Sequence, residues 1–152
     1  MHETPNIVLI IVDQWRRDCL GAAGHPVVQT PHLDVLAADG TYFRRAYSGV
    51  PSCIAARRPH PPLDPPPAYL DLYRDALLPP LPHGDWVGGV GLPNLRQRTH
   101  FNDSPKALDA VQIERARRAY YAQCTFIDHQ LNRLIMALIE HQVGVSLQTY
   151  KV

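Results

Sequence analysis

The chain has 152 residues, 45% of them hydrophobic, and its 15 Lys and Arg against 14 Asp and Glu leave a formal net charge of +1. That size suits one domain with its own core, and so small a net charge supplies no field that would draw nucleic acid or an anionic membrane. No run approaches the roughly 20 apolar residues of a membrane span, and Met1 to Pro5 lacks the basic start and apolar centre of a secretion signal, so the expected location is cytoplasmic.

Asn6 to Val12 is a continuous β-branched and leucine run, the pattern of a parallel strand buried on both faces, and it predicts a central strand. Asp13 and Gln14 follow at its carboxyl end, where open α/β sheets place their ligands. Thr30 to Gly40 predicts a short helix with Thr30 as N-cap, Pro31 in the first turn and Gly40 as the stop, facing the core with Leu33, Leu36 and Ala37. Thr41 to Ala46 predicts a second strand, and Cys53 to Arg58 the start of a helix.

Nine of the fifteen prolines lie between Pro59 and Pro82, which excludes a regular helix or a central strand there. Tyr69 to Tyr73 interrupts that stretch with aromatics able to pin it to a surface. Gly84 to Asn94 is glycine-rich and carries no assignment. A long helix is predicted from Asp103 or Ser104 to about His141, with an apolar stripe of Tyr120, Cys124, Ile127, Leu131, Leu134 and Leu138. Three widely spaced cysteines without a CxxC pair argue against a disulfide framework or a zinc motif, and Cys19 and Cys124 read as small buried residues.

The residues with chemical potential are few. Asp13 and Gln14 offer a carboxylate and an amide carbonyl, hard oxygens suited to Ca²⁺ or Mg²⁺. Val50-Pro51-Ser52-Cys53-Ile54-Ala55-Ala56-Arg57 places an arginine one helical turn beyond a cysteine. There, backbone N–H groups and a guanidinium can face the same anion, a sulfate or phosphate ester. Asp128 and His129 read as structural or as supports behind the residues that touch the ligand, and Arg17 and His25 as solvated surface groups.

In this order, the apolar strand leading into Asp13-Gln14, the TPxLDxLAxxG-like helix Thr30 to Gly40 and the Pro-Ser-Cys-x-x-x-Arg run resemble the sulfatase family. The resemblance implies a partial α/β fold, a three-layer alkaline-phosphatase-like arrangement with a mostly parallel sheet, left incomplete here. It also implies that Cys53 is the position oxidised to formylglycine by a maturation enzyme, and that Arg57 holds the nucleophile and the sulfate oxygens. Asp13 and Gln14 would ligate a weakly bound Ca²⁺ or Mg²⁺. Arg58-Pro59-His60-Pro61 resembles an RPHxP-like segment in which His60 would contact the substrate. Ala55 stands where the family pattern C-x-P-x-R has proline, which bears on whether Cys53 is converted.

The same resemblance marks what this sequence lacks. Arg57 and His60 are nearly adjacent where the family separates the corresponding motifs widely, and neither a GKWHxG-like segment nor an SDHG-like turn is present. The chain thus reads as internally shortened and truncated at its C-terminus: one partial domain over 1–152. Within it, 1–58 is a nucleophile and metal half, 59–103 a Pro/Gly-rich connection and 104–142 a long helix. The expected function is sulfuric-ester hydrolysis on a small sulfate ester, impaired or absent in this chain, with no nucleic acid or membrane partner. The alternatives are a non-catalytic remnant that binds an anion or partner, and a phosphate or phosphonate ester hydrolase of the same superfamily.

Overall fold

The computed structural model describes residues 7–46, 62–81 and 109–141. They form helix α1 (Pro31–Asp39), helix α2 (Pro67–Asp71) and helix α3 (Ala110–Glu140), with one 3-10 turn at Gly21–Ala23 ahead of α1. The long α3 is the platform, and both shorter helices pack on it.

α1 forms where the sequence predicts it, between Thr30 at the N-cap and Gly40, whose N–H bonds Leu36 O. Thr30 does not cap its own helix, however. Its hydroxyl accepts from Gly21 N at 2.9 Å and donates to Asp34 Oδ1 at 3.1 Å, while Ala22 N donates to the same carboxylate oxygen at 2.7 Å. The 3-10 turn is thereby fastened to the first turn of α1. A Cβ on Gly21 would stand 2.2 Å from Asp34 Oδ2 and would displace the carboxylate from these bonds. Leu33, Leu36 and Ala37 are half-buried rather than core residues.

α3 begins later than predicted. Asp109, not Asp103 or Ser104, is its N-cap, and its side chain accepts from Gln112 N at 2.7 Å while Gln112 Oε1 accepts from Asp109 N at 3.0 Å. This reciprocal pair satisfies two of the helix's free terminal donors; Asp103 and Ser104 lie outside the described residues. The buried face is also rotated from the predicted stripe. Tyr121, Cys124, Thr125, Asp128 and Ile135 are buried, whereas Leu134 is exposed, because two chain segments rather than one flank the helix.

Those segments make the core. Cys19, Val28, Tyr73, Tyr121, Ala122 and Cys124 form its buried cluster, with Trp15, Val27, Tyr69 and Leu78 packed against it. The proline-rich segment contributes Tyr73 and includes the five-residue α2, a local exception to the expectation of no helix, made possible by Pro67 at its first turn. α3 side chains add donors to carbonyls of this segment, beyond the backbone N–H of Asp64 that Pro62 O accepts at 3.1 Å and that of Ala76 that Tyr73 O accepts at 3.3 Å. Arg117 Nη2 bonds Pro79 O at 2.6 Å, Gln123 Nε2 bonds Pro62 O at 3.1 Å, and Arg118 Nη1 bonds Tyr73 O.

The two predicted strands are not formed. Residues 7–12 have no strand partner among the described residues, and Ile7, Leu9 and Ile11 are 89%, 74% and 77% exposed. Residues 41–46 are likewise irregular. A strand exists only through the ladder of a neighbour, and the described residues contain no strand at all, so the mostly parallel sheet is not observed among them. The predicted helix start at Cys53 to Arg58 and the glycine-rich stretch Gly84 to Asn94 lie outside the described residues.

Candidate functional site

Asp13 and Gln14 stand where the apolar run meets the core. Asp13 is only 5% exposed, and its Oδ1 is buried without a hydrogen-bond partner among the described residues. Gln14 is exposed and adopts φ 51°, a left-handed conformation that an L side chain rarely takes. Tyr120 of α3 holds this turn from the opposite side. Its hydroxyl accepts from Arg16 N at 2.7 Å and donates to Gln14 O at 2.8 Å. Burial pushes the Tyr120 phenol well above its ordinary pKa, so it keeps the proton it donates. Sequence reasoning read Tyr120 only as part of an apolar stripe. Nothing local to either segment signals a bond across 106 positions.

An unpartnered buried carboxylate oxygen is what a hard-cation ligand leaves behind when its ion is removed from consideration, and Asp13 fits that role. Asp13 and Gln14 would offer two of the roughly six to eight oxygens that Ca²⁺ prefers. Cys53, Arg57 and His60 lie outside the described residues.

A second group of polar side chains lies between α1 and α3. Asp128, fully buried, accepts from Leu33 N at 2.7 Å and from His32 N at 3.2 Å, and so caps the N-terminus of α1 from another helix. Burial raises the Asp128 pKa, opposed by those two N–H bonds. His32 and His129 meet edge to face beside it, with ring centroids 5.1 Å apart. The structural role read for Asp128 in the sequence is the one it performs here. His25, in contrast, is not merely solvated: its Nδ1 accepts from Val27 N and Val28 N at 3.1 and 2.9 Å, and its ring meets Tyr121 edge-on. Arg17 is exposed, with Nη1 donating to Arg44 O at 3.2 Å. No described helix is long and apolar enough to cross a membrane.

Comparison with known proteins bears on the N-terminal part. The sulfatase family model matches residues 5–59, a span that includes Asp13, Gln14, Cys53 and Arg57 and stops one residue short of His60. An arylsulfatase of Clostridium perfringens is 58% identical over 53 residues, 35% of this chain and 11% of that protein. A ulvan-active sulfatase of Formosa agariphila is 53% identical over 53 residues, 35% of this chain and 10% of that protein. Human N-acetylgalactosamine-6-sulfatase is 40% identical over 55 residues, 36% of this chain and 10% of that protein. The chain thus covers about a tenth of the length of these curated relatives, and no solved structure matches it. Residues 5–59 of the chain are similar to the sulfatase family.

Proposed function

We propose that this chain derives from a sulfuric-ester hydrolase and carries its nucleophile and metal half, with Cys53 as the precursor of formylglycine and Asp13 and Gln14 as cation ligands. The observation that carries the reading is the buried, unpartnered Oδ1 of Asp13, inside the segment that matches the family. In this reading 1–58 is the nucleophile and metal half, 59–103 a connection and 104–142 a long helix; of the described residues, α1 and α2 pack on α3. The alkaline-phosphatase-like sheet belongs to the proposal.

A divalent cation at Asp13 and Gln14, Ca²⁺ or Mg²⁺, would supply positive charge against the oxygens of the nucleophile and the ester. The remaining chemistry falls to the chain. Conversion of Cys53 needs a maturation enzyme that brings the oxidant. One hydroxyl of the resulting aldehyde hydrate attacks the ester sulfur, the bond from sulfur to the alcohol oxygen breaks, and the alcohol leaves with a proton. The second hydroxyl then loses its proton, the carbonyl re-forms and sulfate departs; water restores the hydrate. Arg57 balances charge on the sulfate oxygens, and His60 protonates or orients the leaving oxygen. With two oxygens as its proposed cation ligands, the site would bind metal weakly, so turnover is expected to be low. That same shortage favours a second reading, a non-catalytic chain that retains only an anion- or partner-binding surface.

The named activity of the Clostridium relative makes an aryl sulfate the appropriate probe. With added Ca²⁺, the purified chain should release the phenol faster than Cys53→Ala, and faster from the sulfate than from the matching phosphate. Intact mass should fall by about 18 Da where CH₂SH has become CHO. Turnover equal to the Cys53→Ala chain would overturn the enzyme reading in favour of the non-catalytic one, and preference for the phosphate would move the activity to phosphoester hydrolysis.

A further inference from the structure

We propose that His32, Asp128 and His129 form a binding site for a transition-metal ion of the zinc class, separate from the hard-cation position at Asp13 and Gln14. One ligand atom from each of the three residues lies within 4.8 Å of the other two. Tetrahedral zinc, with bonds of about 2.0–2.1 Å, holds its ligand atoms about 3.4 Å apart. Small rotations of the two half-buried imidazoles close that difference around a carboxylate that does not need to move.

Three features favour this site over a chance meeting of side chains. Asp128 is anchored through its bonds to Leu33 N and His32 N, so the backbone that carries His32 is tied to the carboxylate beside it. Each carboxylate oxygen keeps a second lone pair for a metal. His129 is oriented by the Tyr69 hydroxyl, 3.0 Å from its Nδ1, and the Tyr69 ring meets His129 and Phe126 edge-on, each at 5.3 Å. A hydroxyl on one ring nitrogen selects the tautomer and aims the other, the support that metal-binding histidines ordinarily have. Two imidazole nitrogens and one oxygen are poor ligands for Ca²⁺ and Mg²⁺ but suit Zn²⁺, with a fourth position left for water.

The test uses the full chain stripped with a chelator and titrated with ZnCl₂ by calorimetry. One equivalent should bind with micromolar or tighter affinity. His32→Gln and His129→Gln, which leave the Asp128 cap in place, should each weaken binding at least tenfold, and Tyr69→Phe about tenfold. Asp13→Asn should leave it unchanged. In the unmutated chain, zinc should shift the imidazole NMR signals of His32 and His129 and leave that of His141 in place, a readout that does not depend on any variant folding. Affinity no tighter than millimolar, unshifted His32 and His129 signals, or a zinc affinity lost in Asp13→Asn while both histidine variants retain it, would overturn the proposal.

Discussion

Asp128 and Leu33 stand 95 positions apart, and the carboxylate of the first accepts the amide hydrogen of the second at 2.7 Å. With the companion bond from His32 N, this makes α3 the cap of α1. Replacing Asp128 with Ala should leave both amides without an acceptor and cost about 2 kcal/mol. Asp128→Asn, which retains one acceptor for Leu33, should cost about half that. Urea unfolding measures both, and hydrogen exchange should show the first turn of α1 losing protection before the centre of α3 does.

Tyr73, Thr125 and Gln29 close a ring of hydrogen bonds that joins three segments. Gln29 N donates to the Tyr73 hydroxyl at 2.9 Å, that hydroxyl donates to Thr125 Oγ1, and Thr125 donates to Gln29 O at 2.7 Å. Burial raises the Tyr73 pKa, which keeps the phenol a donor. Tyr73→Phe should destabilise by about 1 kcal/mol, because Gln29 N–H and Thr125 Oγ1 both lose their bond to the hydroxyl. Thr125→Val should add less to Tyr73→Phe than it costs alone, the sign of a shared network. A double-mutant cycle by thermal unfolding measures this.

The unpartnered oxygen of Asp13 makes a prediction of opposite sign. Without metal, Asp13→Asn should stabilise the chain by about 1 kcal/mol, since a neutral amide is less costly to bury than an unpaired carboxylate. The same change should abolish any rise in Tm on adding Ca²⁺. A Ca²⁺-induced rise that persists in Asp13→Asn would remove Asp13 from the cation site.

His25 should make the fold acid-sensitive. Its Nδ1 accepts two backbone N–H bonds, which only the neutral ring can do, and burial lowers its pKa below the ordinary 6.5 against the pull of Asp18. Above that value both folded and unfolded chains carry a neutral ring, and the contribution is complete. As the pH falls below 6.5, the unfolded chain takes up a proton that the folded chain refuses, so stability declines until the folded pKa is reached. The urea midpoint should therefore drop as the pH falls through 6.5, and His25→Asn should flatten that slope while lowering the midpoint at neutral pH.

Some of this was legible in the residues themselves. α1 was readable because its signals are local: Thr30, Pro31 and Gly40 mark its ends within eleven positions. The readings of Asp13 and Gln14 as hard-oxygen ligands and of Cys53 with Arg57 as an anion-binding run rest on neighbours in sequence and belong to the proposed function. The start of α3 was misplaced since Asp103, Ser104 and Asp109 all have capping side chains, and only the reciprocal bond with Gln112 chooses among them. The apolar run at residues 7–12 carries strong strand propensity, yet it has no strand partner among the described residues.

By itself the sequence determined the chemistry on offer and the helices whose ends are capped from within, because propensities, caps and motif spacing act over a few residues. Tertiary structure alone decided which groups meet. Tyr120 under the Gln14 turn, Asp128 at the head of α1, and Tyr73 between Gln29 and Thr125 are pairings across 44 to 106 positions. They arise because a long helix offers one face to two flanking segments, and a polar group buried between them must find its partner there or remain unsatisfied.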